Sequence, residues 1–171
     1  MATWSGIRKK LEEEYLAQSL RGRVRYFCTT YRKSHDREGR AAILVDGKEI
    51  LQGNYYNLWL KWDMLPHDKP ISPWQAFLKP NAMTLEEGIF DERTFYVAFG
   101  EFDNQSIEAS LESENLLVRI FAVLDRRVGK RRLAALWETL SREESVLRDF
   151  YLLRLDAEGL NPGKVFPENE S

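Results

Sequence analysis

The apolar period changes along this chain, and that change limits the folds open to it. Residues 23–33, RVRYFCTTYRK, alternate: Val24, Tyr26 and Cys28 share one face and Arg23 and Arg25 the other. A run of this kind, rich in β-branched and aromatic residues, predicts a strand. Residues 40–46, RAAILVD, predict a second strand, and KEIL a short third one. Between them stands Asp46-Gly47, the dipeptide that favours a two-residue type I′ hairpin turn. Beyond residue 82 the apolar residues recur at helical spacing instead, for example Phe95, Ala98, Phe99 and Phe102. A period of two followed by one near 3.6 predicts an α+β fold. It comprises an N-terminal helix, a small antiparallel β-meander and a mainly α-helical C-terminal half.

Boundaries follow from the same pattern. Residues 5–20 predict the first helix, with Trp4, Ile7, Leu11 and Tyr15 as its stripe, Ser5 as cap and Gly22 as stop. Residues 54–65 carry Tyr55, Leu58, Trp59, Trp62 and Leu65 at helical spacing and predict an aromatic helix that covers the sheet. Residues 66–81 hold four of the six prolines and read as a connection. The expected organisation is therefore an α/β part at 1–65, the connection at 66–81, a helical part at 82–160 and a flexible tail at 161–171. Within the helical part, Thr84 with Glu87 and Ser141 with Glu144 fit capping boxes, and Ser106 and Ser113 fit N-caps. Stripes predict helices over 91–103, 114–128 (closed by Gly129), 130–140 and onward to about 157.

Composition excludes several classes. Hydrophobic residues make up 43% of the 171, too many for a disordered chain. No apolar run reaches the roughly 18 residues that would span a bilayer, so no membrane partner is expected. The start, MATWSGIRKKLEEE, lacks the apolar region of a signal peptide, and a lone cysteine forms no internal disulfide. A cytoplasmic location is expected. With two histidines, one cysteine and none of the CxxC, HxxH or HExxH spacings, a structural zinc site is not expected. No Gly-rich phosphate loop or nucleophile elbow is present either, and no cofactor is expected.

Charge is segregated. Residues 1–80 carry 14 Lys/Arg against 9 Asp/Glu, and residues 81–171 carry 11 against 18. Residues 86–114 hold nine acidic side chains and one basic one, while 126–132, RRVGKRR, hold five basic ones. The cluster Arg126, Arg127, Lys130, Arg131 and Arg132 reads as a nucleic-acid contact, a docking face for an acidic protein, an internal partner of the acidic stretch, or a solvated helix corner. A second cluster surrounds one of the histidines. In YRKSHDREGR, His35 and Asp36 stand among Arg32, Lys33, Arg37 and Arg40, between two predicted strands. This reads either as an anion-holding loop with His35 as acid or base, or as a solvated hairpin connection. Cys28, on the apolar face, is expected to be a buried, inert thiol. Tyr55, Tyr56, Trp59 and Trp62 read as core first and as a stacking surface second.

The segments WSGIRKKLE, YRKSHDREGRA and LDRRVGKRRL resemble a family of small uncharacterised bacterial proteins. The resemblance implies a bacterial cytoplasmic protein and carries over no catalytic residue. With no complete catalytic constellation and two opposed charge patches, the leading expectation is a non-enzymatic protein-interaction module whose partner is another protein. Nucleic-acid binding through the basic clusters is the first alternative. A hydrolase centred on His35 and Asp36 is the second.

Overall fold

A computed structural model describes residues 3–30, 39–54, 56–57, 61, 78–143 and 145–160. The chain opens with helix α1, Trp4–Lys9, which runs directly into a π-helical turn, Lys10–Tyr15. Thr3, not Ser5, caps it, accepting from the Gly6 N–H. The helix stops at Tyr15 and does not reach residue 20. The cause is a tertiary bond: Leu16 is extended and bridges Asp125, with the Ala17 N–H donating to the Leu124 carbonyl at 2.9 Å. A single 3₁₀ turn, Gln18–Leu20, then leads into the sheet.

Strands β1 (Val24–Thr30), β2 (Gly39–Val45) and β3 (Lys48–Asn54) form the expected antiparallel meander in the order β1-β2-β3. Val24 pairs with Val45 and Thr30 with Gly39. At the β2–β3 turn, Asp46 has φ 52° and Gly47 φ 82°, the two positive angles that a type I′ turn requires. Val24 and Tyr26 face the core, Arg25 faces solvent, and Cys28 is half-buried.

The rest of the described chain is helical. It comprises α2 (Ala82–Glu86), α3 (Glu92–Asp103), α4 (Ile107–Leu111), α5 (Leu116–Val123), α6 (Lys130–Ala135), α7 (Trp137–Leu140) and α8 (Val146–Ala157). The stripe Phe95, Ala98, Phe99 and Phe102 is buried as expected, and Ser106 caps α4. Three caps fall elsewhere. Asn81 caps α2, with Thr84 reciprocating as the third helical residue. Asn115 caps α5, while Ser113 bonds the Asn115 N–H and the Glu101 carboxylate. Ser145 caps α8. In each case the acceptor comes from the Asn or Ser directly before the first helical residue. Gly129 starts α6 instead of ending α5, and the expected 130–140 helix breaks into α6 and α7. Most of the aromatic 54–65 helix and of the proline-rich connection, and the 161–171 tail, lie outside the described residues.

One apolar cluster draws on both halves of the chain, from Ile7 and Val24 to Phe150 and Leu155. Its centre is an aromatic seam between the sheet, α3 and α5. Phe121 packs edge-on against Tyr26 at 5.6 Å, Phe102 at 5.6 Å and Phe95 at 6.2 Å. Such edge-to-face pairs add to the burial of area itself.

A charged group is sunk into the same core. Arg154 of α8 is 3% exposed. Its Nη1 donates to the carbonyls of Val123 at 3.0 Å and Asp125 at 2.7 Å, its Nη2 to that of Val128 at 2.8 Å, and its Nε to Glu158 at 3.0 Å. Burial lowers the Arg154 pKa, and the Glu158 carboxylate opposes that shift. Burial also raises the Glu158 pKa, but bonds from Ser19 and Arg154 outweigh it and leave it below the ordinary value. Arg154→Met removes a donor from the carbonyls of Val123, Asp125 and Val128 and leaves the Glu158 carboxylate without its cation. The expected loss is about 3 kcal/mol of stability, read as a lower midpoint in urea with unchanged slope.

Candidate functional site

Two places on this frame bring polar chemistry together, and helix α3 separates them. The first lies at its N-terminal end. Asp91, 1% exposed, caps the helix by accepting from the Arg93 N–H at 2.9 Å, and it also chelates the Arg93 guanidinium at 2.6 and 3.1 Å. The next residue, Glu92, has no such neutralisation. It is 9% exposed, and its fully covered Oε2 has no hydrogen-bond partner. Its carboxylate lies against Gly39, the first residue of β2, so closely that a Cβ there would collide with it. Glu92 lines a cleft of about 450 Å³ with Cys28 and Thr30 of β1, Trp4 of α1 and Tyr96 one turn along α3.

The electrostatics of this cleft are set by burial. Desolvation, reinforced by Asp91, raises the Glu92 carboxyl to about 6, and Arg93 and a Thr30 hydroxyl contact pull back without cancelling it. Desolvation also raises Cys28, with Glu92 and Asp91 adding to the shift, so the thiol stays protonated and is no nucleophile at neutral pH. This fits the expected inert cysteine, although the side chain is half-buried and borders a cleft. Tyr96 is raised too, first by burial and then by Cys28 and Glu92. The cleft therefore holds a single group that titrates near neutrality among its described lining residues.

The second place lies at the other end of α3. Asp125, 1% exposed, repeats the Asp91 geometry: it accepts from the Arg127 N–H at 2.7 Å and chelates that guanidinium at 2.8 and 3.0 Å. Arg127 also lies over the rings of Tyr15 at 4.9 Å and Phe102 at 5.6 Å. The Tyr15 hydroxyl donates to Asp103, and burial with this bond raises it to about 12. Arg132 pairs with Glu108 at 3.1 Å. Thus two of the five cations of 126–132 are engaged internally. Arg126 and Arg131 are exposed with no ion-pair partner among the described residues, and Lys130 lies within electrostatic reach of Glu158. The acidic stretch is likewise partnered: Asp103 takes Lys10 at 3.2 Å, Glu114 takes Lys79 and Glu87 takes Lys61 at 3.5 Å.

Beside this corner runs a groove of about 640 Å³ between α4, α5, α6, α7 and α8. Leu111, Val123, Leu136 and Leu140 line it, and Glu112, Arg119 and the Arg132–Glu108 pair border it. Sequence reading did not anticipate the groove or the Glu92 cleft. Glu92 stood among nine acidic residues of one stretch, and only its place directly after a capping Asp set it apart.

Of the other expected site residues, Arg40 is on β2, paired with Glu49 and 5.4 Å from the Phe27 ring. Arg32, His35, Asp36 and Arg37 lie outside the described residues. Thr30 and Gly39, which flank that segment, border Glu92 at one end of α3, whereas Arg127 contacts Phe102 near the other. Ten helical residues separate those two contacts, about 15 Å along the axis. The roots of the 31–38 segment and the basic corner therefore do not share one cleft. Among the described residues, no group of three side chains suits a metal ion.

The model of the SF0329 protein family matches residues 3–155. The chain belongs to that family. The match takes in every described strand and helix except the last residues of α8. No curated protein and no solved structure matches the chain.

The Glu92 carboxyl yields a test. Its folded pKa, about 6, stands above the unfolded value near 4.5. Its contribution to stability is therefore full below pH 4.5 and lost as pH rises through 6. Glu92→Gln lacks this loss. Relative to the unsubstituted chain, it should gain roughly 1 kcal/mol between pH 4 and 7 after allowance for solvent screening, or about 3 °C in Tm. Thermal melts of both proteins across that range check it, and parallel curves would show an unperturbed carboxyl.

Proposed function

We propose that this protein is a non-enzymatic protein-interaction module of a bacterial cytoplasm. Its groove seats an apolar segment of another protein, and the basic corner meets acidic residues that flank that segment. The observation that carries the reading is the groove itself. It has an apolar floor of leucines and a valine, and a charged border that includes Arg132 of the basic corner, in which Arg126 and Arg131 are exposed with no ion-pair partner among the described residues. Peptide segments are recognised in this way, with apolar anchors supplying affinity and rim charges supplying orientation and encounter rate. No described helix is long and apolar enough to cross a membrane, which is consistent with a partner met in water.

The nucleic-acid alternative draws less support. Arg127 and Arg132 are already spent on Asp125 and Glu108, and the sequence pI of about 5.8 is not that of a strongly basic domain. The hydrolase alternative needs His35 and Asp36, and the only support beside it is the carboxyl of Glu92 at the roots of their segment.

Two variants of the full chain test the proposal. Arg126→Glu with Arg131→Glu reverses the free cations, and Thr139→Arg fills the groove from an exposed position on its border. Both leave the core untouched and should keep the native circular dichroism. A specific partner captured by the unsubstituted protein should be depleted about tenfold or more by each variant. Identical partner profiles for all three proteins would overturn the reading. So would salt-steep binding to mixed DNA and RNA oligonucleotides that is lost only with the arginine reversals.

A further inference from the structure

The Glu92 cleft is separate from the groove, and no described residue lines both. From its composition we infer a second binding site, one that takes a small organic ammonium group, that is, a protonated primary amine carried on an apolar or aromatic body.

The inference begins with an unmet demand. Buried polar atoms are almost always hydrogen-bonded, and a buried carboxylate oxygen without a donor is costly. Glu92 is nine-tenths buried and its Oε2 has no partner. The neighbouring carboxylate, Asp91, is not in the same position, because it holds both the backbone N–H and the guanidinium of Arg93. The Arg93 guanidinium is thus held by Asp91, and among the described residues Glu92 keeps one carboxylate oxygen without a partner on the wall of a cleft.

The other walls favour a cation that is organic and singly charged. Trp4 and Tyr96 bring aromatic rings, which attract ammonium groups through their faces. An ammonium has three donors and no acceptor, and the cleft supplies acceptors in the Thr3, Thr29 and Thr30 hydroxyls beside the Glu92 carboxylate. No lysine or arginine is among the described lining residues to compete for that carboxylate. A divalent metal is a poorer match, since the described residues offer no group of three ligating side chains. The volume, about 450 Å³, lies within the usual span of small-ligand sites.

The charge state gives the site a pH signature. Cys28 on β1 and Tyr96, one turn along α3 from Glu92, line the same cleft and both stay neutral below pH 8 because their pKa values are raised, and the Asp91 carboxylate is ion-paired with Arg93. Among the described residues that line the cleft, Glu92 alone changes charge between pH 5 and 7.5. An amine probe stays protonated throughout that range.

Benzylamine, with benzyl alcohol as its uncharged counterpart, tests the site by amide chemical-shift titration of the full chain. At pH 7.5 benzylamine should give saturable shifts centred on Cys28, Thr30, Glu92 and Tyr96. Its affinity should fall about tenfold at pH 5, where most of the carboxyl is protonated. Glu92→Gln, which keeps the fold, should abolish the shifts, and benzyl alcohol should not produce them. Absence of saturable shifts, equal response to benzyl alcohol, or binding that survives Glu92→Gln would each overturn the inference.

Discussion

The guanidinium of Arg154 holds the helical half together. Three carbonyls from the turn between α5 and α6 converge on it, and Glu158 neutralises it from the same helix. A buried cation is expensive, and it survives here because every donor direction used meets a carbonyl of this region or the Glu158 carboxylate. Fixing that turn fixes Asp125, whose carbonyl is one of the three acceptors. Asp125 in turn fixes Arg127, and the adjoining backbone captures residues 15–17 through the bonds from Arg126 to Tyr15 and from Ala17 to Leu124. The first helix is therefore ended by an arginine far along the chain.

Helix α3 spaces the two polar regions. The same local device stands at each of its ends: a buried Asp that accepts from the backbone N–H two residues on and chelates that residue's guanidinium. At the Asp125 end the device also delivers its arginine to two aromatic rings, and the region is closed. At the Asp91 end it leaves the Oε2 of the intervening Glu92 without a hydrogen-bond partner among the described residues. The difference follows from what lies beyond each chelate. Phe102 and Tyr15 cover one, whereas Gly39 and an open cleft border the other.

The sheet was legible because its signals are local. Alternation in 23–30 and the Asp46-Gly47 turn need no tertiary context, and strand register follows from them. The apolar stripe of α3 was legible for the same reason. Helix ends were not. Thr84, Ser113 and Ser141 satisfy the pattern of a cap, but Asn81, Asn115 and Ser145 are better placed for the chain's entry into the core. A pattern of residue types cannot rank competing acceptors a few positions apart. The stop at Tyr15 depends on contacts between residues more than a hundred positions apart, and the buried arginine on carbonyls 26 to 31 residues before it, so no local pattern of residue types marks either.

The charge segregation of the sequence changes meaning in three dimensions. Much of the acidic stretch of 86–114 is paired: Asp91 with Arg93, Asp103 with Lys10, Glu108 with Arg132 and Glu114 with Lys79. Apart from the buried Asp91, these are partly or fully exposed pairs that add little stability, but together they cancel much of the field that the linear sequence suggests. What remains among the described residues is small and specific: two exposed arginines in the corner whose Arg132 borders an apolar groove, and one buried carboxylate oxygen without a hydrogen-bond partner. A recognition surface built from such remainders acts at short range, where desolvation makes each unpaired group count. Steering by the net field is then a minor contribution. Discrimination between partners rests on whether they bring an acid to Arg126 and Arg131, or a cation to Glu92.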